Sequence, residues 1–270
     1  MMLIQAFIFV FAMLLFLPSN AQLRNIENKA FQKGEKLVYK VYYDSFLTGE
    51  IVAGECTFEI QKESRVIAKR NTMHIIVNGV TKGAFNLFFK VKDRYETFLD
   101  EEAMAPWLFI RRVNEGGYII NQDVHFNWYN NTMQFKNVEK KTQNTSPVPA
   151  YTHDILSAIY YMRAMDYSKS KEGEGYPIVF TIDDTVYSTK AFYMGKEQLK
   201  TSMGTFNTFK VKPMVLTGNV FKDQFPMMVW VTDDENKIPI FAKTEVLVGS
   251  VKMELISYKG VKNPVKAKIK

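Results

Sequence analysis

The sequence predicts a mainly β protein in which one curved antiparallel sheet, sandwich-like or a partly open barrel, surrounds one central α-helix at about 152–166. Short runs of alternating apolar and polar residues follow one another through most of the 270 residues, and this is the pattern of strands with one buried face. Turn signals such as Asn78-Gly79 separate the runs closely. Parallel strands would each need a long crossover, so the spacing favours an antiparallel sheet.

Residues 1–21 predict a secretory signal peptide. An apolar run breaks at Pro18 and ends in Ser19-Asn20-Ala21, which fits a cleavage site before Gln22. No Lys or Arg precedes the run, so an uncleaved anchor is the alternative. The run is too short to span a bilayer core comfortably, which needs about 20 apolar residues. We therefore expect an exported protein with no transmembrane span after cleavage.

Residues 22–258 predict a single antiparallel β domain with the helix embedded in it, because no linker rich in Pro, Gly or Ser separates the two halves. The clearest alternating runs lie at 36–43, 52–61, 118–126, 176–182, 209–215, 240–248 and 251–255. Cys56 is the only cysteine, so it cannot form an intramolecular disulfide. It shares the apolar side of its run with Gly54 and Phe58, so it should be a small buried side chain.

The central helix is predicted by apolar residues three and four positions apart, which line one helix face: Ile155, Ala158, Ile159, Met162 and Met165. Leu156 and Tyr160 widen this stripe, so at least half of the helix should be buried. We expect Thr152 to be the N-cap and Asp154 to lie in the first turn, where the helix dipole favours a negative charge.

The C-terminal segment 259–270 predicts a basic, disordered tail. Its sequence, KGVKNPVKAKIK, has no apolar period and supplies much of the formal net charge of +7. The rest of the chain is close to neutral and carries no nucleic-acid motif, so we expect no nucleic-acid partner.

Catalytic residues cannot be assigned from the sequence. The three histidines have no usual zinc-ligand spacing, and the paired carboxylates lie in predicted turns, so we expect no metal and no cofactor. The candidate ligand-binding residues are Tyr160, Arg163 and Asp154 on the helix. A buried Arg163 would need a carboxylate or a set of carbonyls. One interpretation of Arg163 is a structural ion pair or a solvated guanidinium, and the other is an anion-binding site.

Several blocks resemble an exported bacterial family, the domain of unknown function 3108. The blocks are FQKGEKLVY at 31–39, DILSAIYYMR at 154–163, TSMGTF at 201–206, VWVTDD at 229–234 and IPI at 238–240. The helix block is the most specific of them. The resemblance implies a mainly β protein of the bacterial periplasm or cell envelope, and it brings no catalytic residues.

We expect a non-enzymatic envelope protein that binds an apolar ligand, an envelope component or a protein partner. Its 21 Phe, 14 Tyr and 14 Met could line an apolar cavity as well as fill a core. One alternative is a lipid carrier. The other is a hydrolase whose site is assembled from distant polar residues, with Arg163, Asp154 and His125 as candidates.

Overall fold

The computed structural model describes residues 23–47, 49–83, 85–213 and 227–269. The signal peptide predicted at 1–21 lies outside the described residues.

A single antiparallel sheet of 14 strands dominates the fold. The N-terminal half of the chain supplies β1 (Lys36–Ser45), β2 (Gly49–Ile67), β3 (Arg70–Thr81), β4 (Lys92–Asp100), β5 (Pro106–Glu115), β6 (Tyr118–Asn127), β7 (Thr132–Asn137) and β8 (Thr142–Pro147). The C-terminal half supplies β9 (Gly175–Ile182), β10 (Thr185–Thr201), β11 (Gly204–Pro213), β12 (Met227–Thr232), β13 (Pro239–Glu245) and β14 (Ser250–Lys259). Two helices are present in the described chain, α1 (Phe85–Phe88) and α2 (Ile155–Ala164).

The strand order is β8-β7-β6-β5-β4-β3-β2-β1-β14-β13-β12-β11-β10-β9. Consecutive strands pair with each other except β8 and β9, and the pairing of β1 with β14 joins the two halves into one sheet. The sheet is curved and unclosed, with β8 and β9 at its edges, and the chain passes from one edge to the other through α2. The predicted mainly β fold with a curved antiparallel sheet and a central helix is confirmed.

Alternation along the strands places one face of the sheet inside. In β3, Met73, Ile75 and Val77 are buried, as the period of two requires. Strands β2 and β3 approach so closely at Gly54 that a Cβ there would lie 2.4 Å from the carbonyl oxygen of Val80, so only glycine fits.

Helix α2 contributes to three of the four core clusters. Leu156 packs with Trp107 and Phe126, and Tyr160 packs with Phe31 among others. Ala158 belongs to a third cluster, on the side of β9 to β12. The helix therefore packs against both halves of the sheet, whose strands pair with each other at β1 and β14.

The N-cap of α2 is Asp154, so the prediction of Thr152 as N-cap is wrong. His153 pairs with β9 in an extended conformation. The N–H of His153 donates to the carbonyl of Val179 at 2.8 Å, and the carbonyl of His153 accepts from the N–H of Thr181 at 2.8 Å. The helix cannot begin before that pairing ends. Thr152 instead donates its hydroxyl to the carbonyl of Pro149 at 2.7 Å.

The segment 259–269 is ordered, so the prediction of a disordered tail is wrong for these residues. Lys259 still belongs to β14, and Ala267, 2% exposed, is buried beside β11. The N–H of Asn207 donates to the carbonyl of Ala267 at 2.9 Å, and Asn263 exchanges hydrogen bonds with Asn236. The sparse apolar residues between the lysines show no helix or strand period. They nevertheless suffice to dock an irregular segment against the start of β11.

We predict that Ala267→Asp destabilises the protein by about 3 kcal/mol, because it buries a carboxylate without a partner. Lys266→Asp is the matched control, since Lys266 is exposed and the change there should cost less than about 0.5 kcal/mol. Urea unfolding of both variants measures the two costs. Equal stabilities would contradict the docked tail.

Candidate functional site

An apolar cavity of about 950 Å³ lies between α2 and the concave face of the sheet, and its lining is almost entirely apolar. Strands from both halves of the sheet contribute to it, including β1 to β3 on one side and β11 to β14 on the other. Representative lining residues are Tyr39, Phe58, Val77, Val229 and Met253. The cavity is thus built around the β1–β14 junction.

The apolar stripe predicted for the helix faces this cavity. Ile155, Ile159 and Met162 line it, and Ile155 remains 43% exposed. Leu156 and Tyr160 lie about a third of a turn around the helix from this stripe and carry the buried contacts with the core, and Tyr160 also lines the cavity. The helix therefore has two adjacent apolar faces, one for packing and one for the cavity, with Tyr160 at their boundary.

Small side chains on the strands keep the cavity open. Gly79 of β3 lines it beside Cys56 of β2, its antiparallel partner. A Cβ at Gly79 would meet no heavy atom closer than 3.9 Å, and its backbone is not in the left-handed region, so neither sterics nor backbone requires glycine there. Burial raises the pKa of the Cys56 thiol to about 12, which keeps it protonated and unreactive.

Arg163 and Glu35 form an ion pair at one end of the cavity, which we call the closed end. The guanidinium donates to both carboxylate oxygens of Glu35, at 2.5 and 2.9 Å, and to the carbonyl of Asn236 at 3.1 and 3.2 Å. Both side chains are buried. Burial acts to lower the pKa of Arg163, but the Glu35 carboxylate outweighs it and the pKa is raised. The need for a carboxylate or a set of carbonyls was predicted, but the partners were not.

Asp154 lies at the start of the helix and is not among the residues that line the cavity. Its carboxylate accepts from the N–H groups of Leu156 and Ser157 and from the hydroxyl of Thr97, at 2.8, 2.9 and 2.6 Å. Burial raises the pKa of Asp154 to about 6 despite these bonds. The side chain anchors the helix to β4.

Tyr160 is fully buried, lines the cavity and has a hydroxyl without a hydrogen-bond partner. Its ring lies against Phe31 at 4.8 Å and under the Arg163 guanidinium at 5.2 Å. The guanidinium is near the hydroxyl, but its N–H groups are directed at Glu35 and at the carbonyls of Asn236 and Ala30. Burial raises the pKa of Tyr160, so the hydroxyl keeps its proton as a donor.

Thr244 of β13 is the second lining residue with an unpartnered hydroxyl. Among the described residues, the buried side-chain polar atoms that lack a partner are these two hydroxyls and Nε of Arg111. A buried polar group left unpaired is costly, so its place next to a cavity points to a bound molecule.

The hydrolase candidates do not come together. Asp154 and Arg163 are each occupied by the structural partners given above. His125 is exposed on β6 and alternates with the buried Val124 and Phe126, so it lies on the other face of the sheet. Within the described ranges, no group of three His, Cys, Asp or Glu residues is placed to hold a metal ion.

Sequence reasoning missed a buried contact next to the helix. Nδ1 of His153 lies 3.2 Å from the hydroxyl of Ser157, and Nε2 lies 3.5 Å from the guanidinium of Arg24. Burial, followed by the charge of Arg24, lowers the pKa of His153 to about 3. The neutral ring is a structural group, because Ser157 also completes the capping box with Asp154.

Across the part of the chain that the structure describes, no helix combines the length and the apolar character needed to cross a membrane.

We predict that Glu35→Gln destabilises the protein by about 3–5 kcal/mol, because the Arg163 charge is left buried without a counter-charge. Glu59→Gln is the control. Glu59 pairs with Lys36 at 3.2 Å where both side chains are accessible, and such pairs contribute less than about 1 kcal/mol. Urea unfolding at pH 7 measures both variants, and equal effects would show that the buried pair is dispensable.

We predict opposite pH effects at His153 and Asp154. The pKa of His153 in the folded protein, about 3, is below its ordinary value of 6.5. Protonation of His153 therefore favours the unfolded state, and the free energy of unfolding decreases as the pH falls below 6.5. The folded pKa of Asp154, about 6, is above its ordinary 3.8, so its contribution is lost as pH rises through 6. Relative to the wild type, His153→Asn should therefore gain about 2 kcal/mol on going from pH 7 to pH 5.

Asp154→Asn should lose about 1 kcal/mol over the same interval, again relative to the wild type. The measurement is the free energy of unfolding in urea at both pH values. The same sign of change in both variants would contradict these pKa shifts.

A solved structure shares the fold. A beta-barrel-like protein of domain of unknown function DUF1849 from Brucella abortus aligns with a TM-score of 0.57 and 11% identity, over 88% of this chain and 99% of that chain. At this identity the similarity shows the fold alone. Weaker alignments, each with a TM-score of 0.34, are to a candidate exported protein with a YmcC-like fold from Bacteroides fragilis and to a candidate lipoprotein from Parabacteroides distasonis. They have 8% and 12% identity, and cover 87% and 88% of this chain and 99% and 100% of those chains.

No curated protein matches this chain in sequence. The family described as "Protein of unknown function (DUF3108)" matches residues 38–256, which is most of the chain. The resemblance seen in the sequence blocks is thereby confirmed, and the chain belongs to the DUF3108 family.

Proposed function

We propose that this protein binds an apolar ligand of the acyl-chain class in the cavity between α2 and the sheet, as a non-enzymatic exported protein of the bacterial periplasm or cell envelope. The observation that carries the proposal is the cavity itself. At about 950 Å³ it lies at the upper end of ligand pockets, which span about 300–1,000 Å³. Export rests on the signal-peptide pattern at 1–21.

The chemistry of the lining supports an apolar ligand. An open cavity with this lining forfeits the dispersion contacts that close packing would give, and an acyl chain would restore them. Aromatic, aliphatic and methionine side chains from nine strands and the helix adapt to a flexible chain better than to a rigid polar molecule.

The two unpartnered hydroxyls support a ligand that also carries polar atoms. Tyr160 lies near the closed end, where Arg163 stacks on its ring, and Thr244 lies near the opposite end of the cavity. We assign Tyr160 as a ligand-contacting residue. Arg163 positions Tyr160, and Asp154 positions the helix.

We predict that Gly79→Phe lowers the affinity for an acyl chain at least tenfold, because the ring would fill space that glycine leaves open. Asn78→Phe is the matched control, since it adds the same ring one residue away on the opposite face of β3. The measurement is titration of the delipidated protein with cis-parinaric acid, a fluorescent fatty acid, and displacement by palmitate. Thermal melting verifies that both variants fold.

A second variant in the same titration is Tyr160→Phe. It should weaken binding about tenfold if its hydroxyl contacts the ligand, and it should stabilise the ligand-free protein because an unpaired buried hydroxyl is removed.

Absence of saturable binding to the wild type, or wild-type affinity in Gly79→Phe, would overturn the proposed function. Native mass spectrometry of the protein from its own host shows whether a lipid-sized adduct is present.

A further inference from the structure

The end of the cavity opposite Arg163 is surrounded by apolar hairpin tips. Tyr43 of β1, Phe89 and Thr244 line the cavity there, and all three lie next to chain reversals. The four reversals that are consecutive around the sheet are β5–β6, β3–β4, β1–β2 and β13–β14.

Each of these four tips exposes large apolar side chains. They account for most of the exposed large apolar residues of the described chain: Phe46, Leu47, Leu87, Phe88, Phe89, Tyr118, Ile119, Leu247 and Val248. We call these residues the apolar rim. Phe46 is fully exposed, and Leu47, Leu87 and Phe88 nearly so. Single exposed apolar residues are common, but a continuous set marks an interaction surface.

The tips contact one another, so the rim is continuous. A Cβ at Gly116, in the β5–β6 turn, would lie 2.8 Å from the ring of Phe89, so that turn packs directly on the β3–β4 connection. A Cβ at Gly249 would lie 2.1 Å from the carbonyl oxygen of Asp44, so the β13–β14 turn packs on the end of β1. The hydroxyl of Tyr43 also donates to the carbonyl of Val248 at 2.8 Å, and its ring lies 6.4 Å from the ring of Phe85, which links β1 to the β3–β4 connection.

Positive charge accompanies the rim. Lys82 and Lys90 in the β3–β4 connection and Lys92 at the start of β4 are exposed and make no ion pair with any described residue. The acidic Asp44 and Glu50 beside the β1–β2 tip are both paired with Lys252, at 2.8 and 2.7 Å. Glu115, partly buried at the end of β5, also has no ion pair with a described residue, but the three exposed lysines outnumber it. The net charge that remains next to the apolar tips is therefore positive, which complements phosphate headgroups.

We propose that the apolar rim docks on the surface of an anionic lipid bilayer, with Lys82, Lys90 and Lys92 against the phosphate groups. The occupant is inferred from the combination of exposed apolar loop residues with unpaired lysines, because apolar side chains can enter the headgroup layer while lysines bind its phosphates. Docking would place the open end of the cavity against lipid. The inference goes beyond ligand binding and rests on the rim alone.

The test is co-sedimentation with vesicles of phosphatidylglycerol and phosphatidylethanolamine, compared with vesicles of phosphatidylcholine. The wild type and all variants are purified after processing by the bacterial host, so they share the same N-terminus. Any contribution of the N-terminal segment to vesicle binding is therefore the same in all of them. We expect the wild type to bind the anionic vesicles at least tenfold more tightly. Phe46→Ser/Phe88→Ser should lose at least tenfold in affinity for them.

Two further variants separate the causes. Lys82→Gln/Lys90→Gln/Lys92→Gln should bind both kinds of vesicle with the same weak affinity and lose the salt dependence. Val66→Ser, which removes an apolar residue 67% exposed at the other end of the sheet, is the control and should bind like the wild type. Melting temperatures near that of the wild type show that the variants are folded.

Failure of this inference is distinguishable from failure of the ligand proposal. Gly79→Phe should still bind vesicles, and Phe46→Ser/Phe88→Ser should still bind cis-parinaric acid. No binding of the wild type to either vesicle, equal affinity for both, or wild-type binding by the rim variant would overturn the docking proposal. So would a concentration-dependent dimer that the rim variant abolishes without any vesicle binding, because a second copy would then cover the rim.

Discussion

The buried ion pair between Arg163 and Glu35 is the interaction on which the closed end of the molecule depends. Its guanidinium also binds the carbonyls of Asn236 and Ala30, so one side chain of α2 connects the segment before β1 with the turn between β12 and β13. Asn236 in turn binds Asn263, which attaches the C-terminal segment to the same point. Charges this deeply buried are tolerated only when every partner is in place, so these segments are fixed together.

The cavity follows from the width of the sheet and the size of the helix. Fourteen strands curve without closing, and their edges, β8 and β9, are joined in the chain by a helix of ten residues. Such a helix fills one side of the enclosed space and buries Leu156 there. Its adjacent apolar face, with Tyr160 at the boundary, faces a region where Gly79 and Cys56 are too small to reach it, and the cavity remains.

The two ends of the molecule therefore have different physical character. At the closed end, polar and charged groups are buried and fully engaged, with the exception of the Tyr160 hydroxyl. At the opposite end, apolar groups are exposed and no described element covers them. A ligand in the cavity would bind the unpaired Tyr160 hydroxyl, and a lipid surface would cover the exposed apolar rim. Because these contacts are separate, the two proposals can fail independently.

The sequence alone determined the mainly β class, the antiparallel pairing and the position of the helix, because alternation, close turns and one helical period are local signals. It also showed that a buried Arg163 would need a carboxylate or a set of carbonyls. The partner was decided by tertiary structure, since Glu35 lies 128 positions away and only the fold brings the two together. The same holds for the ordered tail and for the N-cap, where pairing of His153 with β9 overrode the local preference at Thr152. Whether the apolar stripe of Ile155, Ile159 and Met162 faces core or cavity was also beyond the sequence, because both environments select the same side chains.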